Sequence, residues 1–89
     1  MSQAIGDPDE LERFAHSLTQ CIDNLKNEVE SLNISFEVLG DTWQDEKRRS
    51  FEEEYNALVQ QLAYFEANAS EQVPYLHALA SRLRDYLQS

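Results

Sequence analysis

Five leucines recur at intervals of seven: Leu11, Leu18, Leu25, Leu32 and Leu39. A second apolar series, Ala15, Ile22, Val29 and Phe36, runs between them with the same period. Together they make one apolar seam on a helix, Leu at d and the others at a, as in helices that pack side by side. The spacing predicts a helix over about 8–39, about 48 Å long at 1.5 Å per residue. Asp7-Pro8-Asp9-Glu10 supplies its start. Asp7 accepts from a free backbone N–H, Pro8 suits the first helical position, and Glu10 completes a capping-box spacing.

Gly40 marks its end, as the residue expected to take the left-handed conformation of a helix C-terminus. Asp41 or Thr42 can then cap a second helix, helped by Gln44 or Asp45. A turn at 40–42 is short enough to make the two helices antiparallel neighbours. The second helix, expected over about 43–73, has its own 4-3 seam: Phe51, Tyr55, Leu58, Leu62, Phe65 and Ala69. Folding the chain about residues 41–42 sets Leu32 on Phe51, Val29 on Tyr55, and Leu25 on Leu58. It then sets Ile22 on Leu62, Leu18 on Phe65, and Ala15 on Ala69. The fold class expected is all-α: an antiparallel two-helix hairpin with coiled-coil packing.

Pro74 removes a backbone donor and disfavours helix just before it, so a kink is expected there. The apolar period resumes at Leu76, Leu79, Leu83 and Tyr86, giving a further helix over about 75–87. On the fold-back count this segment overhangs the hairpin and needs a partner from elsewhere. Phe14, Cys21, Val59 and Val73 widen the seam beyond what two helices cover. These flanks and the overhang predict dimerisation into a four-helix bundle, with itself as a homodimer or with a related hairpin.

Composition agrees with a small helical partner protein. Glycine occurs only at positions 6 and 40 and proline only at 8 and 74. With 89 residues and one cysteine, a single domain over 7–89 is expected after a flexible 1–6. So short a chain builds little core alone, and no intrachain disulfide can staple it. A formal charge of −10 opposes nucleic acid and anionic lipid. No apolar run approaches a membrane span, and the first ten residues show no cleavable leader. The expected location is cytoplasmic, or outside the cell by a route that reads no N-terminal signal.

The turn and second helix start read Leu39-Gly40-Asp41-Thr42-Trp43-Gln44-Asp45-Glu46-Lys47-Arg48-Arg49-Ser50-Phe51. This resembles the WXG, or early secretory antigenic target-like, family of small helical hairpins associated with type VII secretion. That family has a Trp-X-Gly turn near mid-chain, a Phe about two turns later, and heptad seams on both helices. Gly40, Trp43 and Phe51 stand where the resemblance places them. Asp45 replaces the family's glycine, so this chain is a Trp-X-Asp variant. The family's secretion signal, a Tyr followed four residues on by an acid, has no counterpart here: Val59 follows Tyr55, Asn68 follows Tyr64, and Leu79 follows Tyr75. The resemblance implies an interaction protein that acts as secretion substrate, partner or adaptor, with a secretion ATPase among its partners. The alternative is a cytosolic structural or regulatory coiled-coil homodimer with no secretion role.

No catalytic, cofactor or metal site is expected. His16 and His77 are read as surface residues, with residue 77 lying beyond the start of the first helix. Cys21, beside the seam, is read as a buried thiol. Glu52-Glu53-Glu54 reads as a solvated face. Lys47-Arg48-Arg49 is expected to form helical ion pairs: Asp45–Arg49, Arg48–Glu52 and Arg49–Glu53. Trp43 either plugs the hairpin end near Phe36 and Leu39 or forms a notch that a partner reads.

Overall fold

The computed structural model describes residues 6–88. It contains two helices and, among the described residues, no strand. Helix α1 spans Pro8–Leu39 and helix α2 spans Glu46–Gln88. They lie antiparallel in a rod of 66 × 19 × 17 Å. Its radius of gyration is 20.1 Å, against about 12 Å for a compact domain of this length. Of the tail expected to be flexible, residues 1–5 lie outside the described residues. Gly6 has φ +118°, and a Cβ there would stand 3.2 Å from Leu83 Cδ2.

The start of α1 follows the sequence. Asp7 is extended and its carboxylate accepts from the Asp9 N–H at 2.9 Å, with Pro8 at the first position. The capping box does not close, because Glu10 turns to Arg13, 2.9 Å away. The other end differs from expectation. Gly40 is right-handed, at φ −64° and ψ −18°. The backbone tightens after Leu39: Asp41 N–H donates to Val38 O, and Thr42 and Trp43 N–H both donate to Leu39 O. The Gln44 side chain serves the Gly40 carbonyl at 3.0 Å. Thus α2 starts at Glu46, not residue 43, and its cap is Asp45 rather than Asp41 or Thr42. Asp45 Oδ1 accepts from the Arg48 N–H at 3.1 Å.

The conformation of Gly40 does not call for glycine, and the crowding there is with a side chain that can move. A Cβ there would stand 2.7 Å from a terminal nitrogen of Arg48, whose guanidinium lies over the Phe36 ring at 5.0 Å. In Gly40→Ala the flexible guanidinium must shift, which gives up part of a cation–π contact worth about 0.5–1 kcal/mol. The same change lowers unfolded-chain entropy by a similar amount, because alanine accepts this φ and ψ. Gly40→Ala should therefore move stability by less than about 0.5 kcal/mol. Chemical denaturation checks this, and a loss well above that value would mean the left-handed cap after all.

The longer connection slips the register by one heptad. Phe36, not Val29, stacks on Tyr55, with ring centroids 4.6 Å apart, and the Tyr55 hydroxyl donates to Asn33. A slip of seven keeps every a and d position on its face, so the seams still mesh. Its consequence falls at the other end. Residues 75–87 do not overhang; they lie along the start of α1, between Asp9 and Leu18. Leu79 and Leu83 lie beside Leu11, His77 pairs with Glu12, and Arg84 reaches Glu12 at 3.0 Å and Asp9 at 2.9 Å.

Pro74 does not divide the second helix, which runs through it. The carbonyl that loses its donor belongs to Ser70, an exposed residue, so water can serve it. The buried residues are few: Ala15, Ile22, Tyr55, Ala69 and Ala80. Small residues dominate because the two backbones approach closely, and Ala15 and Ala80 are fully enclosed. On α2 the inward line is Tyr55, Val59, Leu62, Glu66, Ala69, Val73, Leu76 and Ala80, all buried or half-buried. Val59 and Val73, expected to flank the seam, and Leu76, expected in the overhang, belong to it. Phe51, Leu58 and Phe65, expected within it, are exposed beside it.

Candidate interaction surface

Two packed helices leave two grooves, and this sequence makes them unlike. On the front, the d positions of α1 (Leu11, Leu18, Leu25, Leu32, Leu39) face a column on α2 with the same seven-residue step: Phe51, Leu58, Phe65, Gln72, Leu79 and Tyr86. These columns line three apolar depressions in succession from turn to open end. The middle one has a volume of about 520 Å³ and is also walled by Phe14, Ala69, Tyr75 and Leu76. On the back, α1 presents Thr19, Asp23 and Lys26 against Glu66, Ser70 and Pro74.

The front face is open. Leu58 is 56% exposed and Phe65 48%. Phe14, Leu32, Leu39, Phe51, Tyr75 and Tyr86 are exposed as well. Cys21, one heptad on from Phe14, is exposed rather than buried. The chain's accessible surface is 6919 Å². A compact monomer of 10.3 kDa has about 5,400 Å². Elongation and the uncovered groove account for the difference, about 1,500 Å², roughly twice what one partner buries in a standard interface.

At the turn, four aromatic rings follow one another. Trp43 lies 6.0 Å from Phe51, Phe51 lies 6.0 Å from Phe36, and Phe36 stacks on Tyr55. Trp43 is half-buried: part of its ring packs and the rest is open. Of the expected ion pairs only Arg48–Glu52 forms, at a loose 3.9 Å. Arg48 instead lies over Phe36 as part of the aromatic cluster. Trp43→Ala removes a half-buried ring and one aromatic contact. It should lower stability by about 1–2 kcal/mol, a melting shift of about 5–15 °C for a domain of this size. An unchanged melting curve would mean that Trp43 serves recognition alone.

At the open end, Asp9, Glu12, His77 and Arg84 clasp the two helices on the back side. Sequence reasoning missed this cluster because it depends on the register. Charge spacing within one helix carries no signal for it. The Arg84 hydrogen bond, then that of His77, holds the Glu12 carboxyl below its ordinary value of 4.5. The stabilisation is therefore full above the ordinary carboxylate range and disappears as pH falls through the lowered folded-state value. Thermal melts should show a larger drop between pH 6 and pH 3 for the native chain than for Glu12→Gln. Parallel curves would mean that the clasp contributes nothing.

Among the described residues, no three His, Cys, Asp or Glu side chains are placed to hold a metal ion. No helix is long and apolar enough to cross a membrane. Comparison with known protein families, with curated proteins and with solved structures finds no match to this chain.

Proposed function

We propose that this chain is a protein-interaction module that completes its core by pairing its front face with another helical hairpin, giving a four-helix bundle. The observation that carries this reading is the long, mostly apolar groove, built from two columns with one period. A lone hairpin leaves such a groove in water, whereas a bundle buries it. Trp43, with Gly40 before it and Phe51 after it, supports a role like that of the WXG hairpins: secretion-type substrate, partner or adaptor. Both a second copy and a related hairpin fit as the partner class. Light scattering at micromolar concentration tests the pairing. Co-expression with a neighbouring hairpin, where the genome has one, supplies the second arm. A folded monomer in both arms removes the proposal.

A second reading, a cytosolic coiled-coil dimer without a secretion role, is favoured by one feature of the turn. Asp45 caps α2 through its side chain, which the glycine of the WXG turn cannot do. Following a tagged chain in culture supernatant, with and without the cell's secretion ATPase, separates the two. ATPase-dependent appearance outside supports the first reading, and retention in both strains supports the second.

A further inference from the structure

Polar ties join the two helices at opposite ends of the rod. At the turn end the buried Tyr55 hydroxyl donates to Asn33. At the open end Arg84 donates to Glu12 at 3.0 Å and to Asp9 at 2.9 Å, and His77 pairs with Glu12. Both α2 members of this clasp, His77 and Arg84, lie beyond Pro74. There the helix ladder is one bond short, because proline offers no N–H to the Ser70 carbonyl and its ring presses on that same group.

The two sides of Pro74 are held unequally. Before it, Ile22, Tyr55 and Ala69 are buried and Phe36 stacks on Tyr55. After it, Ala80 is the one buried residue among the described residues, and an alanine removes little apolar area from water. Leu76, Leu79 and Leu83 are half-buried, and Tyr75, Tyr86 and Leu87 are more than half exposed. A segment with few buried contacts, bounded by a break in its hydrogen bonding, opens before the rest of a fold. The Arg84 and His77 hydrogen bonds favour the charged Glu12 carboxyl, so the clasp is formed at neutral pH.

We infer that residues 75–88 form an arm, hinged at Pro74, that opens from α1 as a unit, with the Asp9–Glu12–His77–Arg84 clasp as its latch. Opening bares Leu11 and Ala15. It also takes apart the open-end depression of the front face, because Leu79, Leu83 and Tyr86 travel with the arm. The arm is a property of the single chain and stands apart from the pairing proposed above.

Amide hydrogen exchange on the full chain, read by mass spectrometry, tests this, with circular dichroism to confirm that each variant folds. In the native chain, amides of 75–88 should exchange at least about tenfold faster than those of 55–73, with the step at Pro74. Arg84→Met keeps the stem and removes the latch, and should speed the arm about five- to tenfold. Contacts at the turn end stay made while the arm is open, so weakening them leaves its opening unchanged. Tyr55→Phe, which breaks the bond to Asn33, and Trp43→Ala should therefore speed 55–73 and leave 75–88 at the native rate. The arm would be overturned by a smooth rise of exchange towards the C-terminus, by an arm rate that Arg84→Met does not move, or by turn-end variants that speed both segments alike.

Discussion

A single aspartate in place of Phe65 should halve the solution mass of this protein while leaving its helices formed. Phe65 stands midway along the front column, 48% exposed. In the hairpin alone the substitution is mild, because water reaches the carboxylate and no intrachain ring contact is lost. Across a closed bundle the same carboxylate has no cation opposite it in either front column. Burying it, together with the loss of the ring, should cost about 3–5 kcal/mol of association, more than a hundredfold in affinity. Leu25→Asp acts on the same layer from α1. Because Leu25 is half-buried, it should also weaken the hairpin. The measurement is mass against concentration by light scattering, beside a helicity spectrum. Phe65→Asp with the native mass at every concentration would place the interface somewhere other than the front groove.

Ile22→Ala should have the opposite signature. Ile22 is 4% exposed at the centre of the hairpin seam, and it borders Val73 and Pro74 on the back side. Truncation removes three buried carbons and leaves a void between helices already held apart by few large side chains. Substitutions of this kind cost about 2–5 kcal/mol, and here the melting temperature should fall by at least about 10 °C. Helicity and association should be lost together, since the front face depends on the hairpin behind it. A melting temperature within a degree or two of native would mean that the seam does not run through Ile22. Taken together, the two variants separate the inner contact from the outer one.

Much of the hairpin was legible in the sequence, and the reason is periodicity. A 4-3 alternation specifies helix, the side of the helix that is apolar, and antiparallel pairing across a short connection. The bounds of α1 follow from Asp7-Pro8 at one end and Gly40 at the other. Period alone does not say which heptad faces which. Whether Tyr55 lies on Val29 or Phe36 is decided by the length of the connection. That length depends on where α2 is capped: Asp41, Thr42 and Asp45 are all competent caps by type. Only the fold selects Asp45, where its carboxylate meets the Arg48 N–H. From that one choice follow the cover of 75–87 over α1 and the Asp9–Glu12–His77–Arg84 clasp.

The candidate surface was legible in membership and not in assignment. Each apolar residue on it was visible as part of a seam or beside one. Phe51, Leu58 and Phe65 nevertheless read as inward, and Val59 and Val73 as outward, because two 4-3 series overlap on α2 and share Tyr55, Leu62 and Ala69. A helix carrying two adjoining apolar lines can turn either towards its neighbour. The close approach at Ala15, Ala69 and Ala80 settles the choice: the small residues go between the helices and the large rings go outside.

By itself, then, the sequence determined two amphipathic helices, their antiparallel pairing, and an excess of apolar surface that one hairpin cannot hide. Composition and period are local quantities, and each residue reports them wherever its partner lies. Only the tertiary structure decided the heptad register, the line of α2 that faces inward, and the contacts of Arg48, His77 and Arg84. Those depend on the loop length and on how closely two backbones can approach, and a repeat of seven is degenerate with respect to both.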